Sequence, residues 1–334
     1  MKALVAILLL TLFLPGELSA GHPKFNAAGK YKIVQVTDTH IRTKMMEFSQ
    51  TSVAMLNKVL DEEQPDLVIF TGDVVSDTTY QAGLELILAP VLQREIPWAL
   101  LFGNHDEEQE LNRRQMLELV RTYPFYIGAR AAIKGVKGYG NNILELKDSQ
   151  GKKTAALLYC MDSHDYSKMK PTVEGYDWFS FDQVQWYRRA SAKYTAANKG
   201  VPLPALAFFH IPFPEYNAPY ADPEVKIIGH KREKKSHAAY VNPGMFAAML
   251  ESGDVMGTFV GHDHVNDYIF NHYGIALAYG RFSGSNTTYN WRIGNGVRVI
   301  ELTEGVRGFT TWIRLSDGTV ELPVTFPDDL PLKK

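Results

Sequence analysis

Five apolar segments of the sequence each end in polar residues of the types that bind metal ions. The ends read VTDTH, FTGD, FGNHD, FFHIP and FVGHDH, and they supply Asp38, His40, Asp73, Asn104, His105, Asp106, His210, His262 and His264. Five of the 10 histidines lie at these ends. Imidazole and carboxylate groups together suit first-row metals such as zinc, manganese and iron. This pattern favours a metal site over separate structural histidines.

The segments that carry these residues alternate with amphipathic stretches. KIVQVTDTH, DLVIFTGD and WALLFGNHD read as strands, and VAMLNKVLDEE, LELILAPVLQREI and LNRRQMLELVRTY read as helices. A βαβαβα order predicts parallel strands joined by crossover helices. Because the carboxyl ends of parallel strands converge on one crevice, the polar ends are expected to meet there.

The remaining chain predicts further strands at NNILELKD, KTAALLYCMDS, PALAFFHIP and DVMGTFVGHDH, with helices at FDQVQWYRRASAKYTAA and NPGMFAAMLESG. Residues 267–326 are short alternating segments punctuated by Gly and Asn, which indicates antiparallel strands. We expect one α/β domain over residues 21–334, with a second, more antiparallel sheet. The single cysteine, Cys160, lies in an apolar run and is expected to be a buried thiol.

Residues 1–20 have the pattern of a secretory signal peptide: a lysine, an apolar run, a Pro-Gly break and a small-residue cleavage site. The alternative is a membrane anchor, but the run is shorter than the ~20 residues a spanning helix needs. We therefore expect an exported protein, periplasmic or secreted, without a stable membrane anchor. The formal net charge of -2 gives no indication of nucleic-acid binding.

The ordered set DxH, GD, GNHD, a lone His after an apolar strand, and GHxH resembles the calcineurin-like metallophosphoesterases, from Lys32 to about Asn266. GYGNN, DWFSFDQVQWY and GIALAYGR further resemble its purple acid phosphatase-like branch, which includes the Dcr2-type phosphatases. The resemblance implies a four-layer αββα sandwich of two mixed β-sheets flanked by helices. It also implies two divalent or mixed-valence metal ions, which would be manganese, iron or zinc.

The resemblance assigns a role to each polar strand end. The first metal would be held by Asp38, His40 and His264, the second by Asn104, His210 and His262, and both by a bridging Asp73. His105 would face the substrate and protonate the leaving oxygen or stabilise the phosphoryl group. Asp106 either orients the His105 ring or caps the following helix.

One position departs from the purple acid phosphatases, which place a tyrosine three residues after the bridging Asp. Here TGDVVS puts Ser76 at that position. Because the tyrosine phenolate on ferric iron gives those enzymes their colour, this chain is predicted to be colourless or pale. Its metals need not include ferric iron.

Other residues are weaker candidates for substrate binding. His164 could touch substrate or lie on a surface loop, and Arg281 could grip a phosphate oxygen or form a salt bridge. Tyr139, Asn141 and Asn142 could line the cleft, on family position alone. The irregular segment 215–240 could border the site, because it follows the strand that ends at His210.

The leading hypothesis is an exported dinuclear-metal phosphoesterase that hydrolyses phosphate monoesters by in-line attack of metal-bound hydroxide. Its substrates would be small-molecule, glycan or protein phosphate esters. The alternative is a phosphodiesterase acting on cyclic nucleotides, glycerophosphodiesters or phosphorylated glycans. A third possibility is a non-enzymatic protein that binds metal or phosphate.

Overall fold

A computed structural model describes residues 23–77, 79–285 and 293–332. The predicted signal peptide, residues 1–20, lies outside these ranges. Among the helices within them, none combines the length and the apolar character needed to span a bilayer.

The predicted βαβαβα unit forms the parallel half of the first sheet. This sheet contains β1 (Lys30–Val36), β2 (Leu67–Thr71), β3 (Trp98–Leu101), β11 (Gly296–Thr303), β12 (Phe309–Leu315) and β13 (Val320–Phe326). Its spatial order is β13-β12-β11-β1-β2-β3. β1, β2 and β3 are parallel, whereas β11 runs antiparallel to β1 and continues into an antiparallel β12 and β13.

The second sheet has seven strands in the order β4-β5-β6-β8-β10-β9-β7. These are β4 (Asn142–Lys147), β5 (Thr154–Cys160), β6 (Ala205–Phe208), β7 (Ile227–Ile228), β8 (Val255–Val260), β9 (Ile269–His272) and β10 (Ile275–Tyr279). The central strands β5, β6, β8 and β10 are parallel. The expectation of a more antiparallel second sheet was therefore wrong, since the C-terminal antiparallel strands extend the first sheet instead.

Helices cover the outer face of each sheet. They are α1 (Met46–Glu63), α2 (Tyr80–Gln93), α3 (Arg113–Val120), α4 (Phe181–Ala197), α5 (Ala218–Ala221) and α6 (Met245–Ser252). Apolar residues of α1, α2 and α3 pack on the first sheet, and those of α4 and α6 pack on the second. A third buried cluster joins the inner faces of the two sheets. The four-layer αββα sandwich of two mixed sheets is thus confirmed.

Successive side chains of a strand point to opposite faces of the sheet and therefore join different core clusters. Along β1, Ile33 packs between the sheets while Val34 packs toward the helices. Cys160, at the end of β5, lies in the inter-sheet core as expected. Burial raises the pKa of its thiol to about 12, so the thiol stays protonated and unreactive near neutral pH.

Candidate metal centre

The metal-binding residue types cluster where the carboxyl ends of strands from both sheets meet. Asp38, Asp73 and Asn104 follow β1, β2 and β3 of the first sheet, and His210 and His262 follow β6 and β8 of the second. The two sheets face one another across the inter-sheet core, so their parallel strands deliver these side chains to one crevice.

The first group contains Asp38, His40, Asp73 and His264, whose potential ligand atoms lie within 4.8 Å of one another. The Nε2 atoms of His40 and His264 are 3.1 Å apart. Nε2 of His264 is 3.5 Å from Oδ1 of Asp38. Two imidazole nitrogens and two carboxylates that converge on one point provide the ligand set that a divalent metal prefers.

The second group contains Asp73, His210 and His262. Asn104 joins it, because its Oδ1 lies 3.2 Å from Nε2 of His210. The Asn104 amide nitrogen donates instead to the Tyr166 hydroxyl at 3.2 Å, so its oxygen is the atom turned toward the centre. A neutral amide oxygen adds a ligand without adding negative charge.

Asp73 belongs to both groups. Its Oδ2 lies 3.8 Å from Nε2 of His40 and 3.2 Å from Nε2 of His210. Its Oδ1 accepts the backbone N–H of His105 at 2.8 Å, which fixes the orientation of the carboxylate. The structure therefore places Asp73 where a bridging ligand would stand.

The residues present fit a pair of metal ions. Within the described ranges, Nε2 of His262 is buried without a hydrogen-bond partner, which a coordinated cation would supply. The outer nitrogens of two other imidazoles are already engaged, since Nδ1 of His210 faces the Thr71 carbonyl and Nδ1 of His40 faces the Ser76 hydroxyl, at 2.8 and 2.7 Å. Such outer contacts fix the tautomer and leave Nε2 for a metal.

The electrostatics of the crevice favour a cation. Burial alone would lower the pKa of His210, but the Asp73 carboxylate raises it to about 9. Burial lowers the pKa of His40 to about 3, so its imidazole is neutral, as a ligand must be. The carboxylate that favours a proton on His210 would equally favour a metal ion beside it.

Four of these candidate ligands have a strained backbone. The backbone φ angle is positive, between 43° and 77°, at Asp38, His40, Asp73 and His262. Residues other than glycine rarely adopt this conformation. Gly103 has no room for a side chain, because a Cβ there would overlap the Asp73 carboxylate. Strain of this kind persists only where the surroundings hold it, and it concentrates at functional sites.

His105 lies beside the first group, with its ring centroid 5.4 Å from that of His40. Its Nδ1 is 2.7 Å from Oε2 of Glu108, a residue that the sequence reasoning missed. Oε1 of Glu108 accepts the Tyr166 hydroxyl at 2.7 Å. Glu108 therefore links His105 to Tyr166, whose hydroxyl also accepts from the Asn104 amide.

Both predictions for Asp106 were wrong. Its buried carboxylate accepts four backbone N–H groups, from Asp73, Val74, Val75 and Gly103. Among the described residues, the hydrogen bond of the His105 ring goes to Glu108, and the following helix, α3, is capped by Asn112. Asp106 instead clamps the loop after β2 to the loop after β3, which holds Asp73 beside Asn104.

Two tyrosines from the segment between β5 and α4 stack on one another, and one of them contacts His262. The rings of Tyr166 and Tyr176 stack with centroids 5.7 Å apart. Tyr176 also packs edge-on against His262 at 4.4 Å. No metal-binding motif includes these residues, and the only sequence signal was their place in an irregular segment after a strand.

The weaker candidates are engaged in hydrogen bonds or in core packing. His164 is buried and bonds Gln183, so it is neither a surface residue nor placed to touch substrate. Asn141 accepts from the Asp162 backbone, and Asn142 lies on β4, where its amide donates to the Ile127 carbonyl at 3.4 Å. Tyr139 packs against the helix-side core of the first sheet.

Arg281 forms the salt bridge that was the alternative to phosphate binding. Its side chain is 1% exposed. Its guanidinium donates to Asp267, the Gly294 carbonyl and Glu321 at 2.8, 2.6 and 3.0 Å. All three nitrogens thus have protein partners, and the burial of the side chain keeps it from solvent.

Comparisons with known proteins agree with this geometry. The model of the calcineurin-like phosphoesterase family matches residues 31–266. The chain is 31% identical over 332 residues to the Arabidopsis thaliana protein named probable inactive purple acid phosphatase 29, covering 88% of this chain and 84% of that protein. It is 29% identical over 328 residues to phosphatase DCR2 of Saccharomyces cerevisiae, covering 88% of this chain and 55% of the yeast protein.

A solved structure of a dimetal phosphatase from Danio rerio superposes with a TM-score of 0.58 at 12% identity. The superposition covers 88% of this chain and 98% of the zebrafish chain. At this level of identity the likeness demonstrates a shared fold.

Proposed function

This chain belongs to the calcineurin-like phosphoesterase family, and we propose that it is a dinuclear-metal hydrolase of phosphate monoesters. The observation that carries the proposal is the position of Asp73, whose Oδ2 faces a ligand imidazole of each group. The Arabidopsis relative is named inactive. In this chain all seven ligand positions hold residues that can bind a metal, which supports an active enzyme.

The roles of the residues follow from their contacts. Bound metal ions would neutralise the phosphate and supply an activated water-derived nucleophile. Asp38, His40 and His264 would hold one ion and Asn104, His210 and His262 the other, with Asp73 shared. Nδ1 of His105 is held by Glu108, so Nε2 of the same ring is available to carry a proton to the leaving oxygen.

A monoester is favoured over a diester by its charge. A phosphate monoester presents three non-bridging oxygens and up to two negative charges, whereas a diester carries at most one negative charge. With the His105 proton assigned to the leaving oxygen, the positive charge of the two metal positions would face the non-bridging oxygens. That charge would attract the monoester more strongly.

Metal analysis and paired assays would test this function. Residues 21–334 are purified, loaded with Mn, Zn or Fe(II), and assayed on p-nitrophenyl phosphate and bis-p-nitrophenyl phosphate. We expect two metals per chain and faster hydrolysis of the monoester. A preference for the diester would support the phosphodiesterase alternative, and bound metal without turnover would support a binding protein.

Matched variants would assign the activity to the centre. His210→Ala should abolish metal content and turnover together, because His210 faces both Asn104 and Asp73. His272→Asn is the control, since His272 lies on β9 and packs against Phe246 and Tyr273. Full activity in the His210 variant would contradict the assignment.

Export is a separate part of the proposal and rests on the pattern of residues 1–20. Expression of the full chain should yield protein outside the cytoplasm that begins at Gly21. N-terminal sequencing of that fraction would test this, and a cytoplasmic product that retains Met1 would contradict it.

A further inference from the structure

A histidine outside the metal-binding motifs lies beside the second metal group. His237 belongs to the irregular segment between β7 and α6. Its ring centroid is 6.5 Å from that of His262, and its side chain is 40% exposed. It therefore combines contact with a ligand residue and access to solvent.

A buried carboxylate holds this imidazole in place. Nδ1 of His237 lies 2.5 Å from Oδ1 of Asp263, and its backbone N–H donates to Oδ2 at 3.2 Å. The Asp263 side chain is 1% exposed and also accepts the Tyr279 hydroxyl at 2.6 Å. Both oxygens of the Asp263 carboxylate are thus engaged, and Nδ1 is the ring nitrogen of His237 that faces it.

The outer nitrogen of this ring is available. Within the described parts of the chain, Nε2 of His237 forms no hydrogen bond, whereas Nδ1 is fully used by Asp263. His105 has the same arrangement on the other flank, with Nδ1 on Glu108 and its ring beside His40. A histidine held by a carboxylate thus lies next to each metal group, His105 beside the first and His237 beside the second.

We propose that His237 binds a phosphoryl oxygen of the substrate through Nε2, on the side of the second metal group. The inference rests on the proposed metal centre, because that centre is what brings a phosphate to this position. His237 is then a substrate-binding residue. A phosphate monoester or inorganic phosphate offers the oxygens that an imidazole nitrogen binds through a hydrogen bond.

Two substitutions distinguish the roles of the two ring nitrogens of His237. His237→Asn keeps an amide nitrogen near Nδ1 for Asp263 but has nothing at Nε2, whereas His237→Gln places its amide near Nε2. A matched control is His230→Asn, because His230 lies in the same segment and its Nδ1 is likewise held by a buried carboxylate, Asp267, at 3.1 Å.

The measurement is the affinity of the metal-loaded protein for inorganic phosphate, by titration calorimetry, with metal content determined on each sample. His237→Asn should weaken phosphate binding about tenfold, the loss of one charge-assisted hydrogen bond. His237→Gln should recover part of that affinity. His230→Asn should bind phosphate as the unsubstituted protein does.

Three outcomes would overturn the inference. Unchanged affinity in His237→Asn would exclude contact with phosphate. Loss of metal from that variant would show that His237 acts through His262. Equal weakening in the His230 control would indicate a general effect on the segment. A metal-loaded protein that binds phosphate with this pattern yet hydrolyses no ester would refute the proposed function while upholding the inference.

Discussion

Oε2 of Glu108 lies 2.7 Å from Nδ1 of His105, three residues earlier in the chain. The contact fixes which ring nitrogen faces outward, in the way that carboxylates commonly orient functional histidines. Since the second oxygen of Glu108 accepts the Tyr166 hydroxyl, the carboxylate itself is held in place.

Glu108→Gln should reduce kcat/KM about tenfold or more on alkyl phosphates, because a hydrogen bond to a charged group is lost. The reduction should be smaller on p-nitrophenyl phosphate, whose leaving group needs little protonation. Steady-state kinetics on the two ester types would measure the difference. The control is Glu118→Gln, an exposed residue of α3 paired with Arg114. Equal losses on both substrates would mean that Glu108 does not act through His105.

Asp106→Asn should lower the free energy of unfolding by about 2–4 kcal/mol and also reduce metal content. An amide has one acceptor oxygen, whereas four backbone N–H groups converge on this carboxylate. Denaturant unfolding and metal analysis would show both effects. The control Glu107→Gln, at the next residue, should lower the free energy of unfolding by less. A stable, metal-loaded but inactive Asp106 variant would instead support a role in orienting His105.

Ser76→Ala should weaken metal binding by about 10- to 100-fold, the usual effect of removing an outer partner of a ligand. The reason is the 2.7 Å contact between the Ser76 hydroxyl and Nδ1 of His40. Competition with a chelator would measure the affinity, and Ser149→Ala is a surface control.

Because no tyrosine occupies position 76, the iron-loaded protein should lack a strong visible absorption band. Such a band would contradict the prediction of a colourless protein. Unchanged metal affinity in Ser76→Ala would contradict the role of Ser76 as a partner of His40.

Arg281→Met should destabilise the protein by about 3–5 kcal/mol, because it leaves a buried carboxylate without its cation. KM should not change, since the guanidinium is engaged by Asp267 and Glu321. Chemical denaturation and steady-state kinetics would test the two statements. Arg188→Met, which breaks an exposed pair with Glu251, should cost less than about 1 kcal/mol. A raised KM with unchanged stability would restore the phosphate-binding interpretation.

The buried pair of Asp267 also predicts a pH dependence of stability. Burial opposes ionisation, but the hydrogen bond from His230 and the charge of Arg281 lower the pKa of Asp267 below its ordinary 3.8. A lowered folded-state pKa contributes stability above the unfolded value, and that contribution disappears as the pH falls through the folded value.

The stability difference between the unsubstituted protein and Asp267→Asn should therefore be largest near neutral pH and should narrow below pH 3.8. Unfolding free energies measured at about pH 7 and about pH 3 would show the trend. Asp61→Asn, at an exposed carboxylate on α1, serves as the comparison. A difference that stays constant or grows in acid would contradict the argument.

Strand ends and helices could be predicted from the sequence because their signals are local. Apolar runs, helical spacing and the βαβαβα order specify β1 to β3 and their crossovers, and the ordered motifs specify the ligand candidates. The family resemblance and the four-layer fold followed from the same residues and were confirmed. The antiparallel pairing of the C-terminal strands was also predicted correctly, but the sheet that they join was not. The partner of β11 is β1, a strand far away in the sequence, and local patterns do not specify it.

Residue type and spacing thus indicated the polar strand ends as candidates for metal binding, and the family resemblance assigned the individual ligands among them. Tertiary structure alone decided what the other polar residues do. Arg281, His164 and Asp106 have chemistry suited to a phosphate site, but neighbours far away in the sequence occupy their hydrogen-bonding groups. Glu108 and His237 carry no motif, and only folding brings them beside the centre. A side chain's available donors depend on its contacts in space, which the order of residues does not state.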